Sequence, residues 1–117
     1  MNPRSTIAKQ NDQFRSRLGT PVFGTDLLGR FVFTPGIDAL APEVQIDIWF
    51  LVRDFEAFTE DNDPYGEHDF GAIDHAIAGK VFWKIDYYDL SFSMGSEDPS
   101  DIAQTRRVLT VMLASEY

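Results

Sequence analysis

The chain contains no cysteine among its 117 residues. Disulfide bonds, zinc sites built on thiolates and cysteine nucleophiles are therefore excluded. Long apolar runs are missing as well, because no stretch approaches the roughly 18 apolar residues that a membrane-spanning helix needs. The first residues are polar and lead into no apolar signal region. We therefore expect a soluble, cytoplasmic protein that contacts no membrane.

Basic residues are also few. Ten lysines and arginines stand against 19 aspartates and glutamates, which gives a net charge of −9. Residues 38–101 alone carry sixteen carboxylates and three basic side chains. Because such a segment repels phosphate and attracts cations, we expect a basic protein surface as partner and no direct binding to nucleic acid. The alternative is an acid-rich surface that only keeps the protein soluble.

Apolar and aromatic residues are plentiful by contrast, at 44% and 14% of the chain. A chain of this length with that content can bury a core without cross-links. One domain spanning residues 1–117 is the expectation.

Three stretches have features of helices. Residues 5–18 carry a thin apolar stripe that ends before Gly19, and residues 42–58 begin with Pro42 and repeat apolar residues every three or four positions. The apolar residues 46–52 also fit a buried strand, but the longer periodicity favours a helix. Asp98 and Pro99 indicate the start of a third helix. Its buried stripe would be Ile102, Val108, Leu109, Met112 and Leu113.

Strand signals occupy the rest of the chain. Residues 31–33 predict a strand, with Val22 and Phe23 as its candidate pairing partner, and residues 73–77 and 80–89 predict a hairpin. In the second hairpin strand, side-chain alternation places Trp83 on the core face and Lys84 on the polar face. The order α-β-α-β-β-α predicts an α+β fold, with the helices packed on one face of a small antiparallel sheet.

Three blocks of the sequence resemble those of one known family: residues 62–71 (NDPYGEHDFG), residues 81–89 (VFWKIDYYD) and the C-terminal TRRVLTVMLASEY. The family consists of short bacterial proteins known only as a domain of unknown function, and the resemblance covers nearly the whole chain. It implies a context on plasmids or other mobile elements. It carries over no activity and no catalytic residue.

The acidic loop in the first block, together with the strand that follows, contains the candidate catalytic residues. Glu67, His68 and Asp69 are adjacent, and Lys84 and Asp86 lie on the polar face of the hairpin. Divalent cations prefer converging carboxylates, and metal-dependent hydrolases add a nitrogen ligand or a lysine. One hypothesis is therefore a small hydrolase or nuclease-like enzyme. Glu67, Asp69 and Asp86 would hold its metal, His68 would be a ligand or general base, and Lys84 would stabilise charge.

The second hypothesis is a non-enzymatic interaction or regulatory protein, such as a mobile-element accessory protein or inhibitor, that docks on a basic macromolecular surface without a cofactor. Charge complementarity combined with aromatic anchors is how small proteins bind one another. Its contact residues would be Asp61, Asp63, Tyr65, Glu67 and Tyr88. We favour this hypothesis, although the residues leave open whether the protein is an enzyme.

A purely structural role competes with both hypotheses. Residues 63–66 have the composition of a tight turn, and Asp61 or Asn62 is of a type that bonds loop backbone. Lys84 would then pair with Glu67 or Asp86.

Overall fold

The computed structural model describes residues 3–18 and 28–117, which form three α-helices, four β-strands and a short C-terminal 3₁₀-helix. In chain order these are α1 (Pro3–Arg15), β1 (Gly29–Phe33), α2 (Pro35–Asp38), α3 (Pro42–Arg53), β2 (Phe70–His75), β3 (Gly79–Tyr88), β4 (Arg106–Leu113) and the 3₁₀-helix Ala114–Glu116. Within these described ranges, no helix is long and apolar enough to cross a membrane.

The four strands form one sheet in the order β1-β4-β3-β2. The α+β prediction is confirmed, and β2 and β3 form the expected antiparallel hairpin. Strand β4 is also antiparallel to β3, although the sequence predicts a helix there. The sheet is nevertheless mixed, because β1 runs parallel to β4. These two strands lie at opposite ends of the chain, so no hairpin turn dictates their relative direction. The predicted pairing of residues 31–33 with Val22 and Phe23 falls outside the described residues.

The β2–β3 hairpin confirms the sequence prediction. Gly71 pairs with Trp83 and Ile73 pairs with Val81, which sets the register of the two strands. Trp83 is fully buried, whereas the Lys84 side chain on the opposite face is 41% exposed. The alternation read from the sequence therefore identifies both faces of β3 correctly.

Helix α3 is present, which decides against the alternative of a buried strand, but it ends five residues before the predicted position at 58. The apolar spacing continues beyond Arg53 because the irregular chain that follows still packs on the core. Phe55 and Phe58 contact the Trp83 ring edge-on, with centroids 5.6 and 6.1 Å away. Periodicity alone cannot distinguish this from a longer helix.

The predicted third helix is wrong, since residues 106–113 form strand β4. After Asp98 the backbone forms local turns, in which the Asp98 carboxylate accepts a hydrogen bond from the amide of Ser100. Along β4, Leu109 and Val111 point into the core together with Arg107, which is 1% exposed. Because an arginine occupies an inward position, the alternation typical of a strand was hidden in the sequence.

The core lies between the helices and one face of the sheet, as the sequence predicts. Its buried residues are Phe14, Leu18, Ile37, Val44, Ile48, Val52, Val81, Trp83, Ile85, Leu109 and Val111. They come from α1 and the turn after it, from α2 and α3, and from β3 and β4. Burial of these side chains is the main apolar contribution to stability.

Gly71 offers a test of the packing around Trp83. A Cβ atom at Gly71 would overlap the indole ring, with Cε2 only 2.6 Å away. We expect Gly71→Ala to lower the free energy of unfolding by about 1–3 kcal/mol, the usual cost of overpacking a core. Urea unfolding measures this change.

Gly95→Ala is the matched control, because the nearest atom to its new Cβ would be the Tyr87 carbonyl oxygen at an ordinary 3.8 Å. It should change the free energy of unfolding by less than about 0.5 kcal/mol. Equal losses in the two variants would show that Gly71 is not constrained by Trp83.

Candidate functional site

The candidate loop connects α3 to β2, and its backbone is organised by its own polar side chains. The Gly66 amide donates to the Asp63 carbonyl over 3.1 Å, which confirms the predicted tight turn. Asn62 bonds backbone groups of Ala57 and Thr59, again as expected. The Asp63 carboxylate is buried and accepts from the amides of Glu67 and His68. The buried Asp63 carboxylate therefore stabilises the loop through hydrogen bonds to its backbone amides.

His68 is fixed in position by contacts on several sides. Its backbone is left-handed, with φ of 56°, a conformation that costs energy for a residue with a side chain. Its ring stacks on Phe58 at 3.9 Å with an interplanar angle of 1°. Nδ1 lies 3.0 Å from a carboxylate oxygen of Asp12, and Nε2 lies 3.8 Å from Asp63. The imidazole is thus bracketed by carboxylates from α1 and from the loop.

Asp12 is the partner of His68 that sequence reasoning missed. The two residues are 56 positions apart, and nothing local in the sequence connects them. A carboxylate at Nδ1 orients a histidine ring and selects its tautomer. The pair can therefore hold a proton at a defined position.

The predicted catalytic cluster divides into two parts. Glu67, His68 and Asp69 stay together at the loop, whereas Lys84 and Asp86 form an ion pair of 3.1 Å on the outer face of the sheet. This pairing of Lys84 is the one that the structural interpretation expects. In residues 3–18 and 28–117, no three histidine or acidic side chains are placed to hold a metal ion.

Burial affects two further carboxyl groups of the loop, those of Glu67 and Asp69. It raises the pKa of Glu67, and the neighbouring charge of Asp69 raises it further. It also raises the pKa of Asp69, with added repulsion from Asp63 and Asp86. Both groups are therefore harder to ionise in the folded protein than in the unfolded chain.

A buried polar network lies beneath the loop and joins it to α1 and the sheet. Asn11 is 0% exposed, and its amide nitrogen donates to the Glu67 carbonyl and to the Tyr87 hydroxyl. Its amide oxygen accepts from Arg107 Nε over 2.7 Å. Arg107 also donates to the Gln10 side chain. Since the amide nitrogen and oxygen of Asn11 both have partners, the network fixes the position of the loop relative to α1 and the sheet.

Arg15 connects the same region to the end of α3. Its guanidinium donates to the carbonyls of Val52 and Arg53 over 2.7 and 2.9 Å, and to Asp12 over 3.0 Å. The last carbonyls of a helix have no partner within it, so Arg15 caps α3 from another element. The guanidinium also lies 4.9 Å from the centre of the Trp83 ring.

An open cavity of about 700 Å³ lies next to these groups. Its walls are Asp12, Arg15, Arg53, Asp54, Phe55, Glu56, Phe58 and His68. Most of its charges already have partners, since Arg15 binds Asp12 and Arg53 binds Asp54 over 3.0 Å. The cavity therefore presents charges of both signs, with little excess of either.

The segment from residue 54 to residue 74, which we call the acidic segment, has a strongly one-sided charge. It contains eight carboxylates and no lysine or arginine. Five of these carboxylates belong to exposed residues: Asp54, Glu56, Glu60, Asp61 and Asp74. Within the described part of the chain, the carboxylates of Glu56, Glu60 and Asp61 make no hydrogen bond or ion pair. Their charge is therefore directed to solvent.

The residues expected to contact a partner occupy different environments. Asp61 is exposed, and Tyr65 is 63% exposed with the Arg4 guanidinium 5.1 Å from its ring centre. Glu67 is half-buried, and Asp63 turns inward. Tyr88 lies on the outer face of the sheet near Phe92. Among the predicted contact residues, Asp61 and Tyr65 are therefore the ones that the loop exposes to solvent.

Residues 33–116 match a family model described as a protein of unknown function, DUF3768. The chain belongs to this family. The matched region includes all of the acidic segment and three of the four strands in full. No curated protein and no solved structure matches the chain. The family confirms the resemblance seen in the sequence and adds no activity.

Replacement of Asn11 tests the buried network. Asn11→Ala leaves a buried arginine nitrogen, a tyrosine hydroxyl and a loop carbonyl without their partner. We expect the free energy of unfolding to fall by about 3 kcal/mol, because unpaired buried polar groups lose their hydration without compensation. Gln13→Ala, on the exposed side of α1, should change it little. Similar urea midpoints for Asn11→Ala and the wild type would contradict this role.

The raised pKa of Asp69 predicts a dependence of stability on pH. Ionisation of this group is less favourable in the folded state than at its ordinary pKa of 3.8, so its stabilising contribution is present at low pH and is lost as pH rises through the folded pKa. Asp69→Asn removes the ionisation. The free energy of unfolding of this variant, relative to wild type, should therefore increase from about pH 4 to about pH 7.

The exposed Asp61→Asn provides the control for this measurement. Its difference from wild type should change less across the same pH range in parallel urea titrations. If the Asp69→Asn difference is flat or decreases with pH, Asp69 ionises as readily in the folded protein as in the unfolded chain.

Proposed function

We propose that this protein is a non-enzymatic interaction protein that docks on a basic surface of another protein through its acidic segment. The observation that carries the proposal is the set of exposed carboxylates at Glu56, Glu60 and Asp61, which make no hydrogen bond or ion pair with the described residues. Like charges at this density repel one another and lower the stability of the fold. Binding to a basic surface relieves that repulsion.

The inner carboxylates of the same region have structural contacts that the outer ones lack. Asp63 holds the loop backbone, and Asp12 binds Arg15 and His68. These contacts use carboxylates as structural acceptors. Glu60 and Asp61 make no comparable contact with the described residues, so their charge acts on molecules that approach the surface.

The sign of the charge also defines the class of partner. A nucleic acid carries the same sign and is repelled, whereas a protein that binds nucleic acid has a basic surface. Such a protein is a fitting partner, and occupation of that surface would inhibit it. The exposed ring of Tyr65 adds an aromatic contact beside the charges.

A pair of charge-matched variants tests the proposal. The first neutralises the segment (Glu56→Gln, Glu60→Gln, Asp61→Asn), and the second neutralises three exposed carboxylates elsewhere (Asp38→Asn, Glu43→Gln, Glu97→Gln). Both remove three negative charges. Immobilised wild type and the second variant should capture the same basic proteins from a lysate of the source cells, and the first variant should lose them. Quantitative mass spectrometry compares the captured sets.

Salt provides an independent criterion. Binding through exposed charges should weaken strongly between about 50 and 300 mM salt, because the screening length falls over this range. Capture that is the same for both variants, or that does not respond to salt, would contradict docking through the acidic segment.

A further inference from the structure

Helix α3 is apolar on two sides. Val44, Ile48 and Val52 face the core and are at most 4% exposed. On the outer side, Ile46, Phe50 and Leu51 are 45%, 49% and 43% exposed. A helix at the surface of a globular protein normally has a polar outer side. Among the described residues, the outer side of α3 therefore keeps exposed apolar area, although the Arg53 guanidinium lies 4.4 Å from the centre of the Phe50 ring.

This outer side borders a groove of about 280 Å³ between α3 and the β2–β3 hairpin. The groove is lined by Asp47, Phe50, Leu51 and His75. Ile77, in the hairpin turn, is 75% exposed and extends the apolar surface. A concave apolar surface of this kind is typical of a binding site for another chain.

His75 fixes the position of the hairpin turn relative to α3, and so the shape of the groove. Its Nδ1 accepts hydrogen bonds from the amides of Ile77 and Ala78, over 3.1 and 3.2 Å. Because Nδ1 is an acceptor, the ring proton is on Nε2, which donates to Asp47 over 3.3 Å. The hairpin turn and α3 are thereby joined across the groove. A preformed groove loses little conformational entropy when it is filled.

The charge at the rim selects the occupant. Asp47 lines the groove and has a side chain that is 63% exposed, so its negative charge is open to a partner. A second copy of this chain would bring an equally acidic rim and a further net charge of −9. That repulsion disfavours self-association through this face. A basic partner removes the conflict.

We propose that the groove binds an amphipathic helix of a partner protein, with apolar side chains seated against Phe50 and Leu51 and a basic side chain on Asp47. The inference rests on the proposed function and adds to it the kind of structure that is recognised. Helix-in-groove binding of this type places residues at i, i+3 and i+4 of the partner in the groove. The acidic segment would attract the same partner at longer range.

A peptide of defined composition serves as the probe. It is an 18-residue, fluorescein-labelled helix of leucine and lysine only, with leucine at i, i+3 and i+4, and its control has the same composition in scrambled order. Fluorescence anisotropy should show tighter binding of the patterned peptide. Leu51→Gln should weaken that binding by about tenfold, the effect of losing one central apolar contact.

Leu90→Gln is the matched control, because Leu90 is 54% exposed and lies outside the groove. It should leave the affinity unchanged. Ile77→Gln removes the hairpin side of the groove without altering α3, and it should also weaken binding. It serves as the second test if Leu51→Gln does not fold.

Three outcomes would overturn the inference. In the first, the patterned and scrambled peptides bind equally, and neutralisation of Glu56, Glu60 and Asp61 abolishes this binding. That result would support the acidic docking surface and reject the groove. Equal affinity of wild type and Leu51→Gln for the patterned peptide would also reject the groove. A wild-type dimer in sedimentation velocity that Leu51→Gln dissociates would show that a second copy covers this face.

Discussion

Arg15 and Arg107 are 3% and 1% exposed, and a buried charge is costly unless hydrogen bonds offset its lost hydration. Arg15 is held through its terminal nitrogens, since its buried Nε has no partner among the described residues. The acceptors of Arg15 are a carboxylate of α1 and the last carbonyls of α3. Those of Arg107 are side chains of α1 and a carbonyl of the loop before β4. These elements are therefore held in one relative arrangement, because a shift of any of them would leave a guanidinium unpaired.

The need to pair buried polar groups also explains how a helix as polar as α1 packs on the domain. Its apolar stripe is thin, with Ile7, Ala8 and Phe14 buried, and polar contacts supplement it. Asn11 reaches the loop and the sheet, and Asp12 reaches His68. The position of the acidic loop thus depends on α1, although the two are far apart in the chain.

Carboxylates have two separate uses in this protein. Those that face inward, such as Asp63, accept hydrogen bonds from loop amides, whereas Glu56, Glu60 and Asp61 face solvent and make no hydrogen bond or ion pair among the described residues. The outer apolar side of α3 lies beside acidic side chains such as Asp47, so apolar and electrostatic attraction favour the same class of partner. A basic amphipathic segment satisfies both, and this links the proposed function to the groove.

The sequence by itself determined the features that depend on local pattern: the charge balance, the exclusion of cysteine chemistry, helix α3, the hairpin with its two faces, and the family. It could not determine the features that depend on contacts between distant residues. The parallel direction of β1, the strand at 106–113 with Arg107 turned inward, and the Asp12–His68 pair belong to this class. Alternation and helical spacing describe one segment at a time, whereas these features arise only when separate segments pack together.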